Sequence, residues 1–211
     1  MFFAHRGLVT KKSFENSITS LEAAFNAGFE GVEFDLWFVD GQILIKHDQP
    51  KNDENLPNLR QYFRFGDSLN YWLDFKNLDQ KNAKAAFEIV LRDAIEAEID
   101  FNKIFLIPFE TDYQKAEYFC DEARKVFGQK AQFGLVIEEK SQIENLQKVC
   151  FEKKIKHLSV FHQLIDDEFV EKFSAQRIFA WTVNDQERID QLTRLEVKDF
   201  ATDLDLKFAK I

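Results

Sequence analysis

Short apolar runs alternate along the whole chain with longer stretches in which apolar residues recur at helical spacing. This alternation predicts parallel strands joined by crossover helices. Eight runs have strand character, at residues 2–5, 31–38, 71–76, 103–109, 132–137, 157–161, 178–183 and 199–202. Eight parallel strands with helices between them form a (β/α)8 TIM barrel, an α/β fold that takes roughly 200 residues or more. Because the 211-residue chain has no linker or low-complexity stretch, residues 1–211 are predicted to form a single domain.

One local feature interrupts the simple repeat after the second run. Asp40-Gly41 is a strong signal for a two-residue turn, and residues 42–47 that follow it have strand character. The pattern predicts a small hairpin after strand 2, followed by a polar surface loop at residues 48–59. Near the other end of the chain, Asn184 is predicted to be the N-cap of the next helix.

The overall charge, the apolar runs and the cysteines exclude several classes of protein. A net charge of −9 repels polyanions, and no dense block of Lys or Arg counters it, so no nucleic-acid partner is expected. No apolar run reaches the roughly 18 residues of a membrane span, so no stable membrane insertion is expected. The charged pair His5-Arg6 leaves no room for a signal peptide, and Cys120 and Cys150 lack Cys-x-x-Cys spacing. We therefore predict a cytoplasmic protein with buried thiols.

Polar residues concentrate where the first two strands end, and this is the end of a TIM barrel at which active sites lie. His5 closes the first strand. Glu33 and Asp35 are two residues apart on the second strand, so both carboxylates point the same way. Most acidic pairs of this kind lie on a solvent-facing edge of a sheet. Here, however, the two residues alternate with apolar residues on a central strand, which argues against that interpretation. Two carboxylates inside a barrel mouth repel each other unless a cation compensates, so the pair predicts a hard divalent ion, Ca²⁺ or Mg²⁺.

The predicted hairpin returns His47 to a position beside Asp35. A single histidine at a strand end is usually structural, but two beside a metal ion are what acid–base cleavage of a phosphodiester requires. One would activate the nucleophile, and the other would protonate the leaving alkoxide. Glu110, Glu138 and His162 also fall near strand ends, but they belong to no motif and are interpreted as solvated rim residues.

A set of motifs occurs in a fixed order along the chain. They are His5-Arg6-Gly7, Glu15-Asn16, Gly31-Val32-Glu33-Phe34-Asp35, Asp40-Gly41, His47-Asp48, Leu56-Pro57-Asn58-Leu59, Asp74-Phe75-Lys76, Trp181-Thr182-Val183-Asn184 and Ala201-Thr202-Asp203. With these motifs the chain resembles the glycerophosphodiester phosphodiesterase family, of the PI-PLC-like phosphodiesterase superfamily, over nearly its whole length. The block from residue 4 to residue 48 is the most specific part of the resemblance.

The resemblance implies a barrel that hydrolyses glycerophosphodiesters to sn-glycerol 3-phosphate and an alcohol with a calcium or magnesium ion. Its partner would be a small-molecule phosphodiester substrate. The site residues that it implies are Glu33, Asp35 and Asp74 for the metal, His5 and His47 for acid–base catalysis, and Arg6, Lys76 and Trp181 for the substrate. On position alone, Lys76 would extend along the rim and Trp181 would be an apolar wall, so their roles depend on the resemblance.

The chain departs from the family pattern at three places. Asp74 stands where the family usually has a Glu, which is one methylene longer. Phe14 stands where the family commonly has Pro, a change that is tolerable as local packing. After His47-Asp48 the chain reaches Leu56 without the family's Arg-Thr-Thr element and without its inserted substrate-binding subdomain. In this short form, either the site is open to larger lipid-like diesters or the diester pocket has been lost.

Two alternative functions are compatible with the same residues. A sphingomyelinase D-like phospholipase or lyase resembles the same barrel, uses an Asp as third ligand and forms a cyclic phosphate, and Asp74 favours it. A non-catalytic phosphodiester-binding barrel is the other alternative. It would require that catalysis was lost while every residue of the site was retained.

Overall fold

The computed structural model describes residues 1–52, 54–110 and 112–206, and within them the strands form one nine-stranded sheet. The strands are β1 (Phe2–Ala4), β2 (Gly31–Val39), β3 (Gln42–Ile45), β4 (Asn70–Phe75), β5 (Ile104–Pro108), β6 (Gln132–Ile137), β7 (His157–Phe161), β8 (Arg177–Trp181) and β9 (Asp199–Thr202). The α-helices are α1 (Ile18–Ala27), α2 (Leu59–Tyr62), α3 (Ala83–Glu96), α4 (Tyr113–Phe127), α5 (Ile143–Lys153), α6 (Asp167–Lys172) and α7 (Gln186–Arg194).

Eight of the strands close into a parallel barrel, because β1 pairs with both β9 and β2. The remaining strand, β3, runs antiparallel to β2 outside the ring. The predicted (β/α)8 TIM barrel and the hairpin after strand 2 are therefore confirmed. The hairpin is shorter than predicted, since β3 ends at Ile45 and His47 lies in the loop beyond it.

The sequence pattern locates the barrel strands to within about two residues, but it misses two short helices. Neither α2 nor α6 was predicted, and their lengths are 4 and 6 residues. A helix of fewer than two turns is too short to display a helical period in its apolar residues. The predicted polar loop at residues 48–59 ends where α2 begins, and residue 53 lies outside the described residues.

Capping interactions fix the path of the chain between β1 and β2. The Ser17 side chain accepts a hydrogen bond from the backbone N–H of Ser20 at the start of α1. Gly28 ends the helix with φ 87°, a left-handed conformation that a residue without a Cβ adopts at little cost. Because both ends of α1 are fixed, the loop that precedes it is held over the carboxyl end of β1.

The barrel interior is filled by large aromatic side chains. Phe179 is fully buried, and its ring centroid lies 5.7 Å from that of Phe3, 5.3 Å from that of Trp72 and 4.8 Å from that of Phe105. A second apolar layer lies between the strands and the helices and includes Phe34. Since the interior is packed, a ligand can enter only at the ends of the barrel.

Cys120 and Cys150 are buried free thiols, as predicted. Among the described residues, no helix combines the length and the apolar character needed to cross a membrane.

Candidate active site

A cavity of about 390 Å³ opens at the carboxyl ends of the barrel strands. All of the site residues predicted from the sequence line it, namely His5, Arg6, Glu33, Asp35, His47, Asp74, Lys76 and Trp181. The cavity is also lined by Trp72, Phe109, Glu138, Ser159 and Thr182. Residues that are up to 177 positions apart in the chain therefore meet in one place, which is the end of the barrel where TIM-barrel enzymes have their active sites.

The pleat and the register of the strands bring three carboxylates together. Glu33 and Asp35 alternate along β2 with residues that pack outward, so both side chains point into the barrel. Asp74 is the parallel register partner of Asp35 on the neighbouring strand. One oxygen from each of the three residues lies within 4.8 Å of the others. We refer to Glu33, Asp35 and Asp74 as the acidic cluster.

The turn after β1 places Arg6 against this cluster. Arg6 has φ 55° and Gly7 has φ 77°, so the chain reverses sharply after His5. The Arg6 backbone N–H donates to Glu33 Oε2 at 2.9 Å, and Arg6 Nε lies 3.2 Å from Asp35 Oδ2. A Cβ at Gly7 would lie 2.5 Å from Ser20 Oγ, so only glycine fits this turn without a shift of α1.

Lys76 supplies a second positive charge at the acidic cluster. Its ammonium lies 2.8 Å from Asp35 Oδ1 and 2.7 Å from Asp74 Oδ2, and it also sits 4.6 Å from the centre of the Phe109 ring. Lys76 is therefore held by two carboxylates and an aromatic face and does not extend freely into solvent. Its pKa is raised because Asp74 and Asp35 outweigh the opposing effect of burial.

The three carboxylates differ in their affinity for protons. Burial, reinforced by the charge of Asp35, raises the pKa of Glu33 to about 8. Burial likewise raises the pKa of Asp74 to about 6, although Lys76 opposes this rise. For Asp35, burial also favours the neutral form, but the charges of Lys76 and Arg6 outweigh it and lower the pKa. An additional cation would oppose the raised pKa values of Glu33 and Asp74, because it favours the charged form of a carboxylate.

A divalent cation with oxygen ligands fits this arrangement. The donor set consists of carboxylates, which are the ligands preferred by Ca²⁺ and Mg²⁺. Asp74 Oδ1 is buried and has no hydrogen-bond partner among the described residues. An unpartnered buried carboxylate oxygen is costly, and coordination of a cation would remove that cost.

The two histidines are held in different ways. His5 Nδ1 lies 2.8 Å from Asp203 Oδ1, and its Nε2 lies 4.0 Å from Glu33 Oε2. Burial alone would lower the pKa of His5, but the hydrogen bond to Asp203 and the charge of Glu33 raise it. His47 is more exposed, with Nδ1 2.9 Å from Asp48 Oδ1, and its backbone oxygen accepts a hydrogen bond from Trp37 Nε1 at 3.2 Å.

The prediction that Asn184 caps a helix is wrong. The N-cap of α7 is Asp185, whose side chain accepts from the Arg188 backbone N–H. Asn184 instead donates from Nδ2 to Asp203 Oδ2 at 2.6 Å and accepts from the Asp203 backbone N–H at 2.8 Å. Asn184 therefore orients the carboxylate that in turn orients His5.

Sequence reasoning gave Asn16 no role in the site. Asn16 is buried, donates from Nδ2 to Asp35 Oδ2 at 2.7 Å and accepts from the Asp35 backbone N–H at 3.1 Å. Its place beside Glu15 in a motif was the available signal.

Of the three residues predicted to be solvated rim residues, Glu138 lines the cavity, whereas Glu110 pairs with Lys115 and lies outside the lining. His162 lies outside the lining as well.

The fold and the site define a closed (β/α)8 barrel with an acidic cluster and two histidines at its carboxyl-terminal mouth. No protein-family model matches the chain, and no curated protein matches it at significant similarity. The chain has the fold of the glycerophosphodiester phosphodiesterases, as the sequence resemblance predicted.

Three solved structures show this similarity of fold. A glycerophosphodiester phosphodiesterase from Parabacteroides distasonis aligns with TM-score 0.78 and 22% identity, over 98% of this chain and 93% of that chain. A phosphodiesterase from Oleispira antarctica, solved with the product sn-glycerol-3-phosphate, aligns with TM-score 0.76 and 16% identity over 98% and 94% of the two chains. A glycerophosphodiester phosphodiesterase from Agrobacterium tumefaciens aligns with TM-score 0.72 and 14% identity over 99% and 97%.

Proposed function

We propose that this protein is a divalent-metal-dependent phosphoric diester hydrolase that converts glycerophosphodiesters to sn-glycerol 3-phosphate and an alcohol. The observation that carries the proposal is the convergence of the acidic cluster with His5 and His47 in one cavity. The fold shared with glycerophosphodiester phosphodiesterases supports the same conclusion. The buried free thiols, Cys120 and Cys150, are typical of a reducing compartment and support a cytoplasmic location.

Each group at the mouth has a role in this proposal. Glu33, Asp35 and Asp74 would hold the ion, which when bound supplies positive charge to the phosphoryl oxygens. Arg6 and Lys76 add fixed positive charge on the same side of the cavity, where the anionic diester would lie.

The histidines carry the proton transfers. A glycerol hydroxyl attacks phosphorus, and one histidine accepts its proton while the second protonates the leaving alkoxide as the P–O bond breaks. Water then opens the resulting cyclic phosphate with the two proton transfers reversed. Trp181, whose ring lies 6.2 Å from that of Phe109, provides an apolar wall for the carbon skeleton of the substrate.

Release of sn-glycerol 3-phosphate tests the proposal. Wild type, Glu33→Gln and the matched control Glu138→Gln are incubated with glycerophosphocholine or glycerophosphoethanolamine, in calcium, magnesium, manganese or a chelator. Glu138 is an exposed carboxylate in the same cavity but outside the acidic cluster. We expect metal-dependent release by wild type and Glu138→Gln, and a loss of at least about 100-fold in Glu33→Gln. Calorimetric titration with calcium, which should fail only for Glu33→Gln, gives a readout independent of turnover.

Two results would contradict the proposal. One is turnover that persists in chelator at the wild-type rate, which would remove the metal from the reaction. The other is no release from any glycerophosphodiester with any metal while calcium binding is intact. A His47→Ala variant that binds the diester as tightly as inactive wild type would then favour the non-catalytic binding barrel.

A second candidate, a sphingomyelinase D-like lyase, is favoured by one residue. Asp74, and not a Glu, is the third member of the acidic cluster. The lyase would stop at the cyclic phosphate, whereas the hydrolase would open it. Phosphorus NMR of the reaction mixture distinguishes the two, because a cyclic phosphate that accumulates without free sn-glycerol 3-phosphate identifies the lyase.

A further inference from the structure

The loop between β1 and α1 carries a rigid turn that the proposed chemistry does not use. Thr10 and Ser13 exchange backbone hydrogen bonds of 3.3 and 3.4 Å across the turn. The Ser13 hydroxyl is buried and donates to the Leu8 backbone oxygen at 2.9 Å. The Phe14 backbone oxygen accepts from Ser17 Oγ at 2.6 Å, which ties the second arm of the turn to the start of α1. The side chains at the tip are therefore presented on a fixed backbone.

This turn exposes apolar and basic side chains together. Phe14 is 82% exposed and Val9 is 52% exposed, and they lie on the two arms of the turn. Lys11 and Lys12 form its exposed tip. Exposure of a phenylalanine ring forgoes the free energy that its burial would supply, and the fixed turn holds this ring in solvent together with a second exposed apolar side chain. We call Val9, Lys11, Lys12 and Phe14 the docking turn.

The docking turn lies at the mouth of the barrel. It follows the strand that delivers His5 and Arg6, and the residue after Phe14, Glu15, forms an ion pair of 3.0 Å with Arg6 Nη1. A surface that contacts the docking turn would therefore face the cavity that holds the acidic cluster.

The charge of the docking turn and the small area that its side chains can bury together favour a lipid surface as its partner. The chain has a net charge of −9, yet the tip of this turn carries two cations between two exposed apolar side chains. Four side chains cannot supply the roughly 800 Å² per partner of a stable protein–protein interface, so neither a second copy nor another protein is favoured. Aromatic and aliphatic side chains inserted among lipids, with lysines at anionic headgroups, do not require such an area.

We propose that the docking turn binds reversibly to the surface of a bilayer that contains anionic phospholipid. The contact is peripheral and involves no membrane-spanning segment. It goes beyond the proposed hydrolysis, since binding to lipid does not require turnover. It would bring the open mouth of the cavity to diesters at or near the membrane surface.

Vesicle flotation of the full chain tests this proposal. The vesicles contain phosphatidylcholine alone or with phosphatidylglycerol, and the proteins are wild type, Phe14→Ser, the double variant Lys11→Gln/Lys12→Gln, and the control Phe151→Ser. Phe151 is 86% exposed and lies near the carboxyl end of α5. Because each helix returns the chain from the mouth to the other end of the barrel, Phe151 lies at the end opposite the mouth. It is therefore about as exposed as Phe14 but is remote from the docking turn.

Wild type and Phe151→Ser should float with the anionic vesicles. Phe14→Ser should bind about tenfold more weakly, and the double lysine variant should lose about fivefold per lysine and most of its salt dependence. All four proteins should hydrolyse a soluble diester equally, so failure of lipid binding and failure of the proposed activity remain distinguishable.

Equal flotation of Phe14→Ser and Phe151→Ser would overturn the proposal, as would absence of wild type from the anionic vesicles. A dimer in solution that Phe14→Ser disrupts would overturn it in favour of self-association.

Discussion

His157 shows how one buried side chain makes stability depend on pH. It lies at the amino-terminal edge of β7, where its Nε2 lies 2.8 Å from Gln132 Oε1 and its ring lies 5.4 Å from that of Phe105. Burial, with a smaller contribution from Arg177, lowers its pKa from 6.5 to about 4. The folded protein therefore keeps His157 neutral under conditions in which the unfolded chain protonates it.

We expect the free energy of unfolding to fall as the pH falls from about 6.5 to about 4. In that window the unfolded state binds more protons at His157 than the folded state, so acid favours unfolding, by up to about 3 kcal/mol. Urea denaturation at pH 7 and pH 4.5 of wild type and His157→Gln measures the effect. The variant should lose less stability between the two pH values, and equal losses would contradict the assignment.

Asp203 acts on the proposed chemistry through His5. Replacement Asp203→Asn preserves the size of the side chain but removes the charge that raises the pKa of His5. We expect kcat to fall about 10- to 100-fold with little change in KM. The limb of the kcat profile that reports His5 should move to lower pH. A profile and a kcat equal to those of Glu138→Gln would show that Asp203 does not position His5.

At the scale of elements, glycines determine how strands and helices join. Gly28 ends α1 with a positive φ and open space around it, whereas Gly31 begins β2 in close contact. A Cβ on Gly31 would lie 2.5 Å from the Phe3 ring and 2.9 Å from the Asn70 backbone oxygen. The first position therefore needs glycine for its backbone conformation and the second for space.

These two reasons predict different costs. Gly28→Ala should destabilise the fold by about 1 kcal/mol, because alanine is disfavoured at positive φ but meets no neighbour. Gly31→Ala should cost about 3 kcal/mol, because the interior must move to admit the methyl group. Urea midpoints of the two variants at constant m-value measure the difference. A larger loss for Gly28→Ala would contradict this account.

At the scale of the molecule, aromatic side chains in the interior of the barrel join four of its eight strands. Phe179 contacts Phe3, Trp72 and Phe105, which belong to β1, β4 and β5. Phe179→Ala should cost about 3 to 5 kcal/mol, since the packed interior cannot collapse around the void. The control Phe151→Ala on the surface should change stability by less than about 0.5 kcal/mol. Thermal unfolding checks both values, and equal midpoints would contradict a shared interior core.

Much of the fold and part of the site could be predicted because they depend on local periodicity. The eight strands follow from apolar runs and helical spacing, and the common direction of Glu33 and Asp35 follows from the two-residue period of a strand. Short helices such as α6 could not be predicted, since six residues show no period.

The contacts between site residues on different strands were decided by closure of the barrel. The contact between His5 and Asp203 joins residues 198 positions apart and exists because β1 pairs with β9. The bridge from Lys76 to Asp35 likewise depends on the register between β4 and β2. Periodicity within a segment encodes which face a side chain occupies, whereas its partner on another strand is set only when the ring closes and fixes the register between distant strands.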